Sequence, residues 1–456
     1  MPAPRPPSGT LPRRSPANRR GGHTPVDARS VALALLNTVL ETRTPLDSAL
    51  QEDRDLAALA PRDRAFARLL TMTVLRRLSQ LDRLVDALMD RPLPSRQVRV
   101  RNVLRLGAAQ LVFLDTPPHA AVNGAVALAR AAGLGGMRGL INAVLRKVAD
   151  GDRAAQRALA GPGETTPGWL WQSWCAAYGE TTAAAIAEAH LAEPPLDLTP
   201  RPDADCDALA TTLDAEVLPT GSLRRRGGGL VGELPGFAEG QWWVQDTAAT
   251  LPARLLGDVA GQRVADLCAA PGGKTAQLAA AGAIVTAVDV APARLALVEH
   301  NLARLGLPAT CVAADVTQWR PAESFDAVLL DAPCTATGTL RRHPDIAWLK
   351  GRRDVAATAA WQARLLDAAL ALLKPGGLLV YAVCSLQPEE GPDRIAALLA
   401  GGAAAERLPI LPDELPGLAG LSPPAITPEG DLRTLPCHFA ESGGMDGFYA
   451  ARLRRT

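Results

Sequence analysis

The hydrophobic positions of this chain follow two different periods. From 27 to about 148 they recur at helical spacing: Val31, Leu35, Leu36 and Val39, then Phe66, Leu69, Leu70, Val74 and Leu78, then Leu81, Leu84, Val85 and Leu88. Residues three and four apart share one helix face, so the spacing predicts amphipathic helices. Pro92 and Pro94 interrupt the run, because proline removes a donor and clashes with the preceding turn. Leu104, Leu111, Val112 and Leu114 resume it as far as Thr116-Pro117-Pro118. Stretches 122–132 and 140–148 complete an all-α unit over 25–150. From 264 the period changes. Short apolar runs at 264–267, 284–288, 310–313, 327–330 and 378–383 alternate with helical stretches at 275–281, 294–305 and 355–373. That alternation predicts a doubly wound α/β sheet. Lys374-Pro375-Gly376-Gly377 is a stop signal for the last helix, and 448–453 is expected to close the sheet.

The segments between are less regular. Residues 149–167 form a polar connection. Trp169, Leu170, Trp174 and Tyr178 then predict a short helix with an aromatic side. Its tryptophans serve either as core, the commoner use, or as a base-stacking platform. From 196 to 244 short apolar runs alternate with Pro, Gly and Arg, which predicts a small α/β linker subdomain within 151–240. Arg224, Arg225 and Arg226, followed by three glycines, read as an exposed basic loop. Asp246 stands where it can cap the next helix, inside a last unit taken as 241–456. Residues 1–24 hold Pro, Gly and Arg with almost nothing apolar, and are expected to stay disordered. Their arginines either touch RNA phosphate or form a plain solvated tail.

Composition narrows the partners. With 456 residues, 48% of them hydrophobic, there is core for two or three domains. The formal net charge of +1 means that nucleic-acid binding must rest on local patches. One patch stands out. Between Arg62 and Arg105 eleven arginines face only Asp63, Asp82, Asp86 and Asp90. That surplus is either a phosphate-binding face or an Arg-rich solvated surface. No apolar run is long enough to cross a bilayer, and the N-terminus lacks the apolar segment of a secretory signal. The seven cysteines are scattered, with no CxxC pair or Cys/His cluster that suggests a metal. A cytoplasmic protein with reduced thiols is expected.

The candidate chemistry lies at the strand ends, where open α/β sheets bind ligands. The sequence VADLCAAPGGKT, 264–275, is a strand, a Gly-rich turn and a helix start. It fits neither GxGxxG nor a phosphate loop. Only four lysines occur in the chain, and Lys274 sits in this turn. It either holds a cofactor carboxylate or caps local carbonyls. Asp289 ends the second strand, where a carboxylate can accept both ribose hydroxyls of a nucleoside cofactor. Asp315 follows the third strand, placed to meet an adenine amino group. Asp331-Ala332-Pro333-Cys334 follows the fourth, and Cys384-Ser385 the fifth.

DLCAAPGGKT resembles the cofactor motif of the S-adenosylmethionine-dependent RNA 5-methylcytosine methyltransferases of the Sun family. DAPCTATGTLRRHPDIAW resembles that family's DAPCSGxG motif, and its RRHPDI extension matches a ribosomal small-subunit branch. Pro388, Glu389, Glu390 and the ending Asp446-Gly447-Phe448 also follow the pattern. DRAFARLLTMTVLRR, LRLGAAQLVFLDTPPHAAVNGAVALAR and GLINAVLRK resemble a NusB-like RNA-binding domain. The resemblance implies a Rossmann-like class I methyltransferase domain behind an all-α NusB-like domain, acting on small-subunit ribosomal RNA. It implies S-adenosyl-L-methionine at Cys268, Ala269, Ala270, Pro271, Gly272, Gly273, Lys274, Asp289, Asp315 and Asp331. In the usual sheet order of such enzymes strands four and five are neighbours, which brings both thiols to one pocket.

Thiols suit this reaction. Cytosine C5 is a poor nucleophile. A thiolate added at C6 makes it an enamine carbon, a carboxyl group near N3 offsets the developing charge, and a base then removes the C5 proton. Cys384, Asp331 and Cys334 fill these roles, and the resemblance implies their order: Cys384 as nucleophile, Cys334 assisting release. Two departures are Thr335 for the usual Ser and Val383 for the usual Thr. Cys175, Cys206, Cys311 and Cys437 read as inert thiols, and Cys268 as a backbone contributor. Arg341 and Arg342 are expected to meet RNA phosphate, and His343 either does the same or packs its loop. Alternative readings are the same chemistry on transfer RNA, and a non-catalytic RNA-binding assembly factor. A monomer with no DNA or membrane partner is expected.

Overall fold

The computed structural model describes residues 27–94 and 96–456, so the basic tail expected at 1–24 lies outside the described residues. The helical period of the sequence appears as helices Ala28–Thr42, Pro61–Arg76, Leu78–Ala87, Val98–Val112, Pro118–Ala131 and Arg138–Asp150, with two short ones between the first pair. Val98–Val112 is their central member, buried at every position from Asn102 to Val112. Its polar residues are therefore paired: Arg105 forks onto Asp82 at 2.7 and 2.6 Å, and Asn102 donates to Asn37 at 2.9 Å. This thins the basic face expected between Arg62 and Arg105. Arg105 and Arg101 bind Asp82, Arg77 donates to the Leu191 carbonyl, and Arg76 donates to the Arg341 carbonyl. Arg62, Arg68, Arg91 and Arg96 remain exposed.

Helices Gly168–Tyr178 and Glu180–Leu191 follow. Trp174 is fully buried and donates to Gln387 at 3.2 Å, so it is core rather than a stacking platform. A small antiparallel sheet comes next: β1 (Leu196–Pro200), β2 (Ala215–Val217), β3 (Leu223–Arg225) and β4 (Trp242–Val244), in the order β2-β3-β1-β4. Here the sequence reading is corrected. Arg224 is no loop residue but sits in β3, opposite Asp197 of β1, and both side chains are wholly buried. It binds both Asp197 oxygens at 2.7 Å.

The main sheet comprises β5 (Arg263–Leu267), β6 (Ile284–Asp289), β7 (Thr310–Ala313), β8 (Phe325–Asp331), β9 (Leu373–Val383), β10 (Ala405–Arg407), β11 (Leu432–Arg433) and β12 (Tyr449–Arg455). Its order is β10-β12-β9-β8-β5-β6-β7, with β11 beside β12. The strands from β5 to β9 run parallel, and β12 is antiparallel to β9. Helix Arg352–Leu372 ends just before its stop signal, but β9 begins at once. A register shift against β8 between Phe325 and Ala327 absorbs Pro375-Gly376-Gly377. β10 and β11 were not anticipated from the sequence. Among the described residues no helix is long and apolar enough to cross a membrane.

One segment, 341–350, ties the helical unit to the main sheet. Trp348 donates to the Leu75 carbonyl at 2.8 Å, and Asp345 accepts from the Leu46 N–H at 3.0 Å. His343 faces Asp47 at 3.3 Å. Trp348 and Leu349 pack against the helical core itself.

Candidate active site

The turn after β5 is shaped by backbone. Cys268 adopts φ 61° and Gly272 φ 101°. A Cβ on Gly272 would come within 3.0 Å of Val298 Cγ1, so both conformation and space call for glycine. Helix Gly273–Ala280 starts directly after it, presenting unpaired N–H groups. Burial, reinforced by Asp331 and Asp289, pushes the Cys268 thiol up to about 12 and leaves it inert.

A cleft of about 540 Å³ opens beside this turn. Ala269, Pro271, Gly272, Gly273, Lys274, Asp331 and Cys384 line it, together with Asp266, Arg342, His343, Asp446 and Phe448. Lys274 is paired with a carboxylate. Its Nζ donates to Asp331 Oδ2 at 2.7 Å and lies 5.1 Å from the centre of the Phe448 ring. Burial pulls its pKa down, but Asp331 outweighs that and the net direction is up, so Lys274 stays charged. Cys268, Ala270, Cys334, Asp289 and Asp315 are not among the lining residues. Asp289 accepts from the Ala270 and Ala291 N–H groups at 3.3 and 3.0 Å. Asp315 accepts from Thr317 N and Oγ1 at 2.9 and 2.8 Å.

β8 and β9 are parallel neighbours with Asp331 opposite Ala382, which brings the residues just beyond them together. The Cys334 and Cys384 sulfurs lie 3.4 Å apart. Its hydrogen bond with Cys384, and burial, hold the Cys334 thiol well above its usual range, so it keeps its proton. The loop after Cys334 folds back onto β9 through Gly338 N–H donating to the Cys384 carbonyl at 3.0 Å. Gly447 packs so close that a Cβ on Gly338 would lie 1.9 Å from its carbonyl oxygen. Val383, where the resemblance expects a hydroxyl before Cys384, is buried in the apolar core.

Three features were missed in the sequence. Asp266 is buried beneath the turn, where Thr275 Oγ1 donates to its Oδ2 at 2.5 Å while Oδ1 has no partner. Burial raises its pKa to about 7. Its place in an apolar strand hid it. At the rim, Arg341 and Arg342 interlock with Asp246 and Asp446; the shortest contact is 2.6 Å, between Arg342 and Asp246. Asp246 also accepts from Ala248 N–H at 2.8 Å, the cap expected of it. Burial pushes Asp246 up, but the two arginines more than reverse this and hold it down at about 2. The third is Glu390, which is fully buried. Its Oε1 accepts from Thr335 N at 2.8 Å and Thr358 Oγ1 at 2.5 Å, and its Oε2 from Thr335 Oγ1 and Ser385 Oγ, both at 2.5 Å.

Comparison with known proteins agrees with this arrangement. Residues 253–454 match the family model described as 16S rRNA methyltransferase RsmB/F, and 26–150 match the NusB family. The chain is 39% identical over 448 residues to ribosomal RNA small subunit methyltransferase B of Citrobacter koseri, covering 93% of this chain and 98% of that one. It is 40% identical over 394 residues to the protein of the same name from Salmonella newport, covering 81% and 89%. Among solved structures, PH0851 superposes with a TM-score of 0.73 over 94% of this chain and 99% of its own, at 20% identity, a likeness of fold. A methyltransferase homolog from Pyrococcus horikoshii reaches a TM-score of 0.51 at 27% identity, covering 62% of this chain and 94% of its own. With a cofactor turn, two adjoining thiols and relatives matched almost end to end, the chain belongs to the RsmB/F family of 16S rRNA methyltransferases, preceded by a NusB-family unit.

Proposed function

We propose that this enzyme methylates C5 of a cytidine in 16S ribosomal RNA, with Cys384 as nucleophile, Cys334 assisting release and Asp331 as the acid. One observation carries the division of labour: the sulfurs are 3.4 Å apart, yet of the two only Cys384 lines the cleft. Residues 268–274, with Asp289, Asp315 and Asp331, hold S-adenosylmethionine. The unpaired Oδ1 of Asp266 fits that group, being a buried acceptor suited to an ammonium. The cofactor supplies an electrophilic methyl group.

The protein's own groups do the rest. The target base must leave its stack to reach the cleft. The Cys384 thiolate bonds to C6, which makes C5 nucleophilic. Asp331, held by Lys274, faces the ring nitrogen where charge develops. After transfer the C5 proton passes out of the cleft to solvent, its electron pair re-forms the C5–C6 double bond, and the C6–sulfur bond breaks to release the Cys384 thiolate, which the Cys334 thiol assists by hydrogen bonding to it. The reading takes the enzyme as a cytoplasmic monomer acting on RNA, not DNA.

The test supplies labelled S-adenosylmethionine and protein-free small-subunit RNA. Wild type yields 5-methylcytidine, Cys384→Ala yields none, and Cys334→Ala traps a covalent RNA adduct. Transfer only to transfer RNA would move the substrate, and cofactor binding without transfer to any RNA would leave an assembly factor.

A further inference from the structure

We propose that Glu390 is a positioning residue that sets the spacing of the two active-site sulfurs, a role that rests on the two-thiol reading above. Cys334 and Cys384 lie on separate loops, after β8 and after β9. No direct hydrogen bond joins their neighbours Thr335 and Ser385 more closely than 3.4 Å. Glu390 joins them instead. Its carboxylate takes two donors from Thr335, next to Cys334, and one from Ser385, next to Cys384. Thr358, on helix Arg352–Leu372, supplies the fourth and anchors the brace to the scaffold. A fifth donor, Gln362 Nε2 on the same helix, reaches Oε1 at 3.4 Å, so the carboxylate is met by donors on every side. Each is a neutral hydroxyl or amide, and among the described residues no cation lies at bonding distance of the carboxylate. A buried, unpaired carboxylate at this junction is a poor choice for stability alone. It suits a joint that needs an acceptor on every side. The brace is itself held: Tyr381, in β9, donates its hydroxyl to the Glu390 carbonyl at 2.6 Å. Glu390 does not line the cleft, so it acts through the sulfurs and not on the base.

The test uses the full chain and reads geometry independently of catalysis. Diamide joins two thiols only when they meet, so the rate at which Cys334 and Cys384 form a disulfide in the cofactor-free enzyme reports their spacing. Glu390→Ala is expected to slow that oxidation and to lower kcat about 100-fold, the scale of an ångström-sized misplacement. KM for RNA and cofactor affinity should stay near wild type. Glu390→Gln keeps the shape, and the hydroxyls can reverse to accept from its amide, so it should recover most of both rates. If Glu390→Ala does not fold, Thr335→Val combined with Ser385→Ala removes the two hydroxyl arms that join the sulfur-bearing loops and decides the matter. Wild-type oxidation and kcat in the folded variant would overturn the proposal. A wild-type enzyme that forms no 5-methylcytidine overturns the functional reading instead, and the oxidation rates then judge the brace by themselves.

Discussion

Two buried ion pairs in this chain are built from similar parts and do opposite work. Arg224 and Asp197 are both wholly shielded, and each of their polar side-chain atoms has a partner: two bonds between them, a third from Thr247 N–H to Asp197, a fourth from Arg224 to the Ser442 carbonyl. Lys274 and Asp331 share a single contact, and the Asp331 side chain is 30% exposed in the cleft. The first pair is closed and clamps the small sheet to the C-terminal segment. The second keeps an oxygen free toward whatever enters. The difference lies in the bonds left unmade, which fits the acid role proposed for Asp331.

The sharpest way to break this comparison is Asp331→Asn. It keeps the shape and removes the charge, so kcat should fall about 100- to 10,000-fold, the range for losing an acid–base group. The thermal unfolding midpoint should barely change, because the group is partly solvated. Next comes Arg224→Ala, which strands a buried carboxylate and should cost about 3–5 kcal/mol in chemical unfolding. The folded fraction should keep normal turnover. Replacing the pair together, Arg224→Met with Asp197→Leu, should restore most of that loss, since matched apolar partners often equal a buried pair. A double variant no more stable than the single one would contradict the closed-clamp account.

Asp266 gives the smallest effect. It is a third buried carboxylate, and it has no cation at bonding distance. Its folded pKa of about 7 lies above the ordinary 3.8. It therefore stabilises the cofactor-free fold fully below the ordinary value, and that contribution is lost as pH rises through about 7. An ammonium placed at Oδ1 favours the ionised form, so cofactor binding should expel a proton below about pH 7 and none well above it. Calorimetry in buffers of different ionisation enthalpy measures this, and Asp266→Asn should abolish it.

The sequence disclosed most where chemistry is local. The strand–turn–helix at 264–275 and the carboxylates and thiols at strand ends lie within short windows, and periodicity located each strand beneath them. It failed where meaning depends on a distant neighbour. Three consecutive arginines look solvated until β1 places Asp197 across from the first of them. Asp246 and Asp446 are 200 residues apart, yet Asp446 N–H donates to Asp246 and both carboxylates share Arg341 and Arg342. Glu390 was visible as part of a motif, but its donors come from three separate segments. β10 and β11, of three and two residues, are too short to carry a period.

The 341–350 segment bears on how such a protein can be taken apart. It leaves the Cys334 loop, supplies two arginines to the cleft rim, and then sends Trp348 and Leu349 into the core of the helical unit. A chimera that grafts another RNA-gripping module onto this catalytic half must carry a matching 341–350 with it. A transplant cut at the chain connection after 150 would separate Trp348 from its socket and loosen the rim it anchors. Besides the peptide chain and polar contacts such as Arg77 to the Leu191 carbonyl, this strap joins the two halves through the apolar core, and it bears on whether halves from different lineages are interchangeable.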